Sequence, residues 1–447
     1  MPDSSHADLL HDIVAAALKA GADGAEAASA ERASLSVGVR NGALEDVERE
    51  ESRDLGLRVF IGRRQATVSA SDLSPATRAR LVERAVAMAK LAPEDPYAAL
   101  VPAAELARGP YPDLELWDPT ERSAADLEQV AREAEAVALS VSGVSKSEGG
   151  HAATASNRWR LVTSEGFDGA YESTGFSLGV GVIAEKDGAM ERGGESRSTR
   201  WLSDLPGPQG IGEVAGRRAV EKLGPRKIAS TTAPVIFERR VATQVLSPLL
   251  GAISGTAIAR GQSFLKDRMG EQILPRGLSL IDDPFRVRGL SSVPFDDEGS
   301  PVALRHLVDD GILTTWLLNH AAAAQLGLKT TGHASRGLVG PSGVSTHNLH
   351  LTPGDADLNG LMAQAGTGLV VTSMFGPSLN ANTGDWSAGV SGYWFENGEP
   401  VHPVSEITVA GNLADLWTRI VPGSDLEFRG GFNSPSLLID GVAIAGK

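Results

Sequence analysis

Between Asp8 and Ala20, the residues Leu9, Leu10, Ile13, Val14, Ala17 and Leu18 fall on one side of a 3.6-residue wheel. The spacing predicts an amphipathic helix with Asp8 as N-cap and Gly21 as stop. Strand-like runs follow at Leu35 to Val39, Leu44 to Val47, Leu55 to Ile61 and Ala66 to Ser69. The first two are separated by Asn41-Gly42, a hairpin-turn pair, so an antiparallel meander is expected. Ser74-Pro75 opens a second helix, and Leu81, Val82, Ala85, Val86 and Ala89 carry its buried face towards Leu91.

From Pro93 to Pro119 the chain holds six prolines and little periodicity, the composition of a linker. Beyond it, Asp118-Pro119 or Ser123 opens a long helix, in which Leu127, Val130, Ala131, Ala134, Val137, Ala138 and Val141 repeat at helical spacing. Arg158 to Thr163, Gly169 to Ala184 and Ala189 to Arg197 read as strands, and Gly210 to Leu223 as a closing helix. After Gly224-Pro225 the pattern turns strand-rich. Leu278 to Ile281, Ala303 to Val308, Ile312 to Leu318, Leu369 to Val371, Gly392 to Phe395 and Ile407 to Ala410 are the expected strands. Helices are expected at Arg240 to Ala257 and Asn319 to Gln325.

Strands and helices do not alternate strictly, so the fold class is α+β and not a doubly wound parallel sheet. The expected layout is an N-terminal lobe over 1–100, a Pro-rich linker over 101–118, a second lobe over 119–225 and a β-rich C-terminal domain over 226–447. The first two lobes are antiparallel sheets covered by helices.

Composition narrows the chemistry. At 447 residues and 42% hydrophobic, the chain can build more than one core. A net charge of −15 repels phosphate backbones, so direct nucleic-acid binding is not expected. The basic pairs Arg63-Arg64, Arg217-Arg218 and Arg239-Arg240 read as solvated surface. Cysteine is absent, which excludes disulfides, thiolate zinc ligands and thiol nucleophiles. Met1 to Leu18 lacks a basic region ahead of an apolar stretch, and no apolar run reaches the length of a membrane span. A soluble, cytoplasmic protein is therefore expected.

Zinc hydrolysis needs two or three His/Glu ligands and an acid/base carboxylate converging on one point, which a helix supplies by putting them one turn apart, and the nine His form no His-Glu-x-x-His pattern or looser variant. His347 and His350 lie in a strand-like segment, Thr346 to Leu351, where a separation of three turns them to opposite faces. They read as surface or loop histidines. The glycines of Gly179 to Ala184 sit in a strand with no helix after it, which argues against a dinucleotide-binding turn. Phe295-Asp296-Asp297-Glu298-Gly299 is the densest carboxylate cluster. It could hold Ca²⁺ or Mg²⁺, but the plainer reading is an exposed acidic turn, and Asp282-Asp283 reads the same way.

Several motifs nevertheless occur in one order: Phe295 to Pro301, Asp309 to Leu313, Lys329 to Ala334 (Lys-Thr-Thr-Gly-His-Ala), Thr383 to Gly389 (Thr-Gly-Asp-Trp-Ser-Ala-Gly), Phe395 to Glu399 and Pro403 to Leu413. Together they resemble the TldD/PmbA family, also labelled a modulator of DNA gyrase. Gly251 to Gly255 and Ser263 to Leu265 resemble its PmbA (TldE) side.

That resemblance implies a subunit of a TldD/TldE-type metalloprotease complex degrading unfolded peptides. In the family the TldD chain carries a His-Glu-x-x-x-His helix and a later Cys that hold zinc. The corresponding helix here, Arg240 to Ala257, has no His, Glu, Asp or Cys, and Ser247-Pro248 would kink or restart it. The resemblance thus implies no catalytic or metal-binding residue in this chain. Zinc is expected in a TldD-like partner subunit, and the substrate is an unfolded peptide held as an added strand. Met374, Phe375, Gly376, Asn382, Thr383, Gly384, Asp385 and Trp386 are the expected cleft residues. Two other classes stay open, an autonomous homodimeric hydrolase and a regulatory binding protein for DNA gyrase.

Overall fold

The computed structural model describes residues 4–446. Helix α1 spans Ser4–Lys19, so Asp8 lies within the helix and is not its N-cap. Gly21, at φ +101°, ends it as expected. The strands β1 (Gly24–Arg40), β2 (Ala43–Ile61) and β3 (Arg64–Ala70) lead to α2 (Pro75–Leu91), capped by Ser74. Then follow α3 (Ala124–Ser140), β4 (Val144–Thr163), β5 (Asp168–Lys186), β6 (Ala189–Thr199) and α4 (Pro208–Val220). Ser123 and Asp126 close a reciprocal capping box at the start of α3, which fixes where that helix begins.

The six strands form one antiparallel sheet in the order β3-β2-β1-β4-β5-β6, with β1 pairing to both β2 and β4. The short runs Leu44 to Val47 and Leu55 to Ile61 belong to a single strand of 19 residues. Its first half, Ala43 to Glu51, is exposed on both faces and so carries no apolar alternation to read. A charge pair holds part of that region instead, with Arg40 of β1 on Glu45 at 3.1 Å.

Two cores cover the sheet. α1 and α2 bury Leu10, Ile13, Leu81 and Val82 against Leu55, Leu57 and Val59. α3 and α4 bury Leu127, Ala131 and Ile211 against Leu178, Val180 and Val182. α4 approaches α3 so closely that a Cβ on Gly212 would stand 2.6 Å from the Ala134 carbonyl, and one on Gly216 2.5 Å from Val141. Only glycine fits either position. The buried Glu135 of α3 accepts the backbone N–H groups of Asn41 and Gly42, both at 2.8 Å, and ties the β1–β2 turn to the helix.

The C-terminal half begins with β7 (Thr231–Phe237), α5 (Arg239–Ala252), α6 (Gly255–Ala259), β8 (Leu280–Asp283), β9 (Arg305–Asp309), β10 (Ile312–Leu313) and α7 (His320–Leu326). It continues through β11 (Ala334–Ser335), β12 (Gly343–Val344), β13 (Asn348–Leu351), α8 (Leu358–Ala365), β14 (Gly368–Leu379), β15 (Asp385–Glu396) and β16 (Glu399–Asn412). α9 (Leu413–Leu416), β17 (Ile420–Pro422), β18 (Phe432–Asn433) and β19 (Leu437–Ala445) complete it. The order β16-β15-β14-β7-β19, with β16 also pairing β19, closes a five-stranded barrel. A second sheet, β10-β9-β8-β13-β18, stands beside it. The fold is thus α+β with a β-rich C-terminal region.

Phe295 joins the two halves. Its ring lies 4.9 Å from Phe167 and 5.7 Å from Tyr171, both of the N-terminal half, and 5.4 Å from Tyr111. Arg336 reaches the buried Glu26 of β1 at 3.2 Å, which Arg58 of β2 also pairs at 3.3 Å.

Candidate functional site

Helix α5 follows directly from barrel strand β7 and packs Val241, Ala242, Val245, Leu246, Leu249 and Ala252 into the core. Pro248 sits inside this helix without breaking it. Proline withdraws the N–H that would meet the Gln244 carbonyl, and the Ser247 hydroxyl donates to that carbonyl at 3.4 Å instead. The helix therefore runs on through Ser247-Pro248 and does not restart there. The helix ends at Ala252, and Gly255–Ala259 is a separate short one. No side chain of α5 is a His, Cys, Asp or Glu, so nothing on it can hold a metal.

Among the described residues, one group of three metal-type side chains converges: Asp282, His333 and His347. Asp282 is the last residue but one of β8, His347 precedes β13, and His333 precedes β11. The histidines are buried, against the expectation that His347 lies at the surface, and Asp282 is fully buried, against an exposed acidic turn. A carboxylate only accepts hydrogen bonds, so both imidazoles present N–H to it. His347 Nδ1 donates to Oδ2 at 2.7 Å, His333 Nε2 to the same oxygen at 3.1 Å, and the His347 backbone N–H to Oδ1 at 2.7 Å. Burial alone would raise the Asp282 pKa, but these two imidazoles hold it far below the usual carboxylate range. Burial pushes His333 down, against the pull of Asp282.

By residue type this group suits zinc; by geometry it does not. Tetrahedral zinc holds its donor atoms roughly 3.3 Å apart, and the 2.7 Å contact is that of a hydrogen bond. The side chains are at most 8% exposed, which leaves no open position for water and a peptide. The cluster is a polar pin that joins three segments of chain. The three residues are 14 and 51 positions apart in sequence, so no local spacing signals them.

The acidic segment 295–299 is also buried, not an exposed turn. Asp296 accepts the backbone N–H groups of Glu298, Ser300 and Ala334. Asp297 accepts that of Arg336, and Glu298 that of His320 at the start of α7. Burial, then the neighbouring Glu298, raises the Asp296 pKa well above its ordinary value, with the backbone N–H groups opposing. Every carboxylate here serves backbone donors, an arrangement that organises loops and leaves no set of ligands aimed at one point.

The expected cleft residues lie on the β14–β15 hairpin. Phe375 and Gly376 are exposed on β14, where pairing with β15 shifts between Phe375 and Ser378. Asn382 and Thr383 are exposed in the turn, where Thr383 Oγ1 donates to Asp385 Oδ2 at 2.7 Å and Asn412 Nδ2 to Asp385 Oδ1 at 3.0 Å. Gly384 is buried at φ +82°, and Met374 is half-buried. Trp386 points into the barrel core against Phe237, with ring centroids 6.3 Å apart. Of these residues, Asp385 and Trp386 line a hollow of about 590 Å³ with Ser378, Leu379, Asn380, Ala381 and Ser387.

Three residues of the basic pairs are also not plain surface, while Arg217 is. Arg218, Arg239 and Arg240 line a cleft between the two halves of the chain. Long flexible cations leave no periodic trace in sequence, and only the fold brings them together.

Residues 230–446 match the C-terminal domain of the PmbA/TldA metallopeptidases, residues 117–223 the central domain and residues 25–89 domain 1. The chain is 39% identical to the metalloprotease PmbA of Escherichia coli O157:H7, over 98% of this chain and 96% of that one. It is 35% identical to the PmbA homologue of Haemophilus influenzae, over 96% and 94%. Among solved structures it is similar to a candidate modulator of DNA gyrase from Bacteroides thetaiotaomicron, at TM-score 0.93 and 26% identity with both chains fully covered. TldE from Thermococcus kodakarensis shares the fold, at TM-score 0.87 and 20% identity over 98% of this chain and 100% of that one.

Proposed function

The chain belongs to the PmbA/TldD metallopeptidase family, and from that premise we propose that it is the subunit that helps enclose the substrate while a TldD-like partner holds the zinc. The composition of α5 carries this reading. The helix is uninterrupted and set against the barrel, yet offers no imidazole, thiolate or carboxylate. Metal-assisted hydrolysis needs such ligands and an open coordination position together. The Asp282 group has the residue types without the open position.

The substrate in this reading is an unfolded peptide, bound as an added strand along the outer part of the β14–β15 hairpin. The shifted pairing beyond Phe375 and the exposure of Gly376 support that path, because backbone groups not used in the ladder can pair with an incoming chain. No helix among the described residues is long and apolar enough to cross a membrane, and we place the protein in the cytoplasm.

Reconstitution tests the assignment. The purified chain alone is expected to leave unfolded casein intact, and adding a TldD-type chain with the His-Glu-x-x-x-His helix is expected to give chelator-sensitive cleavage. Chelator-sensitive hydrolysis by this chain alone would overturn it.

A further inference from the structure

Where the N-terminal sheet meets the barrel half, a cleft of about 580 Å³ opens between β6 and α4 on one side and the start of α5 and the 427–434 segment on the other. Five arginines and three glutamates gather there. Glu195 pairs with Arg218, Arg429 and, at 3.9 Å, Arg197. Glu427 pairs with Arg197 and, at 3.0 Å, with Arg239. Glu238 pairs with Arg240 at 2.6 Å and Arg239 at 3.8 Å. Lys222, beside Arg218 and Arg240, is offset by Glu191 next to it. The five cations against three anions leave a surplus of two positive charges, in a chain whose net charge is −15.

The donors are not used up. Arg240 spends its Nε on Glu238, and among the described residues its two Nη atoms make no hydrogen bond. Arg239 spends its Nη2 on Glu427, and its Nε, which has no hydrogen-bond partner, is itself screened from solvent. Both side chains keep a share of solvent exposure, 26% and 35%, so a ligand can reach them.

The cleft does not admit a strand. β6 is the free edge of its sheet, and its alternate carbonyls are already occupied: Arg192 by Lys222 Nζ at 3.0 Å, Gly194 by Arg218 Nη1 at 3.1 Å and Ser196 by Arg429 Nη2 at 3.4 Å. What remains is a set of guanidinium forks beside the uncharged Thr243, Asn433 and Ser434. Guanidinium forks match a planar carboxylate with two parallel hydrogen bonds. Three glutamates in the same cleft repel a multiply charged phosphate more than a single carboxylate.

We propose that this cleft binds the C-terminal carboxylate of a peptide, with Arg239 and Arg240 as the principal donors. The proposal rests on the peptide reading of the function and deepens it, giving the subunit a site that recognises a chain end and not a side-chain sequence.

The test compares a short unstructured fluorescent peptide bearing a free C-terminal carboxylate with its C-terminal amide twin. Binding to the full-length chain is read by fluorescence anisotropy at low salt. Amidation is expected to weaken binding about tenfold, the worth of one charge-assisted fork. Arg239→Gln with Arg240→Gln is expected to make the two peptides equal. Arg240→Gln alone removes a guanidinium paired only with Glu238 and guards against a misfolded double variant. Equal affinity of the two peptides for the unsubstituted chain, no binding of either, or inorganic phosphate displacing the free-acid peptide at lower concentration than free acetate would each overturn the proposal. If the reconstituted pair cleaves peptides while amidation changes nothing, this site fails and the subunit assignment stands.

Discussion

His347 holds Asp282 twice, through its backbone N–H to Oδ1 and through its ring Nδ1 to Oδ2, both at 2.7 Å. His333 adds a third donor at 3.1 Å. One buried carboxylate therefore fastens the end of β8 to the segments leading into β11 and β13, and the β8–β13 ladder begins next to it at Asp283–Asn348.

Removing that carboxylate strands two buried imidazoles, so Asp282→Ala is expected to cost about 3 kcal/mol, the usual price of breaking a buried charged pair. Urea unfolding followed by circular dichroism measures it. Because the contacts are hydrogen bonds, EDTA is expected to leave the unfolding midpoint of the unsubstituted chain unchanged. A midpoint that drops on chelation and returns with zinc would show that the cluster holds metal.

Glu135 invites a second measurement. Its two oxygens take the N–H groups of Asn41 and Gly42, and the Ser147 hydroxyl donates to it as well, all with the side chain buried. Glu135→Gln keeps the volume but turns an NH₂ towards a backbone N–H, leaving donors face to face. The expected loss is about 2 kcal/mol, with an unchanged denaturant slope because the surface exposed on unfolding is the same. A change below about 0.5 kcal/mol, the ordinary scatter of surface substitutions, would mean that the turn does not depend on this carboxylate.

The helices were the most legible part of the fold. Ser74-Pro75 and Ser123 carry their own start signals, and α2 and α3 begin there. The length of β2 was not legible, since nine consecutive exposed residues have no inside to alternate with. Barrel closure was hidden for another reason: β7 and β19 are short of signal alone and acquire their places by pairing with each other. Of the polar sites, the Asp282 group and the arginine cleft are made entirely by long-range contacts. Their residues looked like ordinary surface because sequence records spacing along the chain and not distance across it. The absence of ligands on α5 was legible, because it is a property of consecutive residues.

His350 gives the pH dependence that can be read most cleanly. Its ring meets Phe428 edge-on with centroids 5.1 Å apart, Arg286 lies 3.4 Å over the other ring, and its Nδ1 is buried without a hydrogen-bond partner. Burial, more than the nearby Arg286, pushes its pKa below the ordinary value, although the Asn348 backbone and the carboxylates Asp283 and Asp282 pull the other way. A histidine with a lowered folded pKa is protonated first in the unfolded chain. Its contribution is thus fully present above about pH 6.5, the unfolded value, and is lost as pH falls below it. His333 acts in the same sense, while the raised Asp296 and Asp297 act in the opposite one, so the total slope of stability with pH mixes signs. The difference between two proteins does not. His350→Phe keeps a ring against Phe428 and removes the titrating nitrogen, so thermal unfolding midpoints measured at neutral and mildly acidic pH should fall less for the variant than for the unsubstituted chain. Equal falls would mean that the folded protein admits the proton as readily as the unfolded one, and that burial of this ring does not govern its charge.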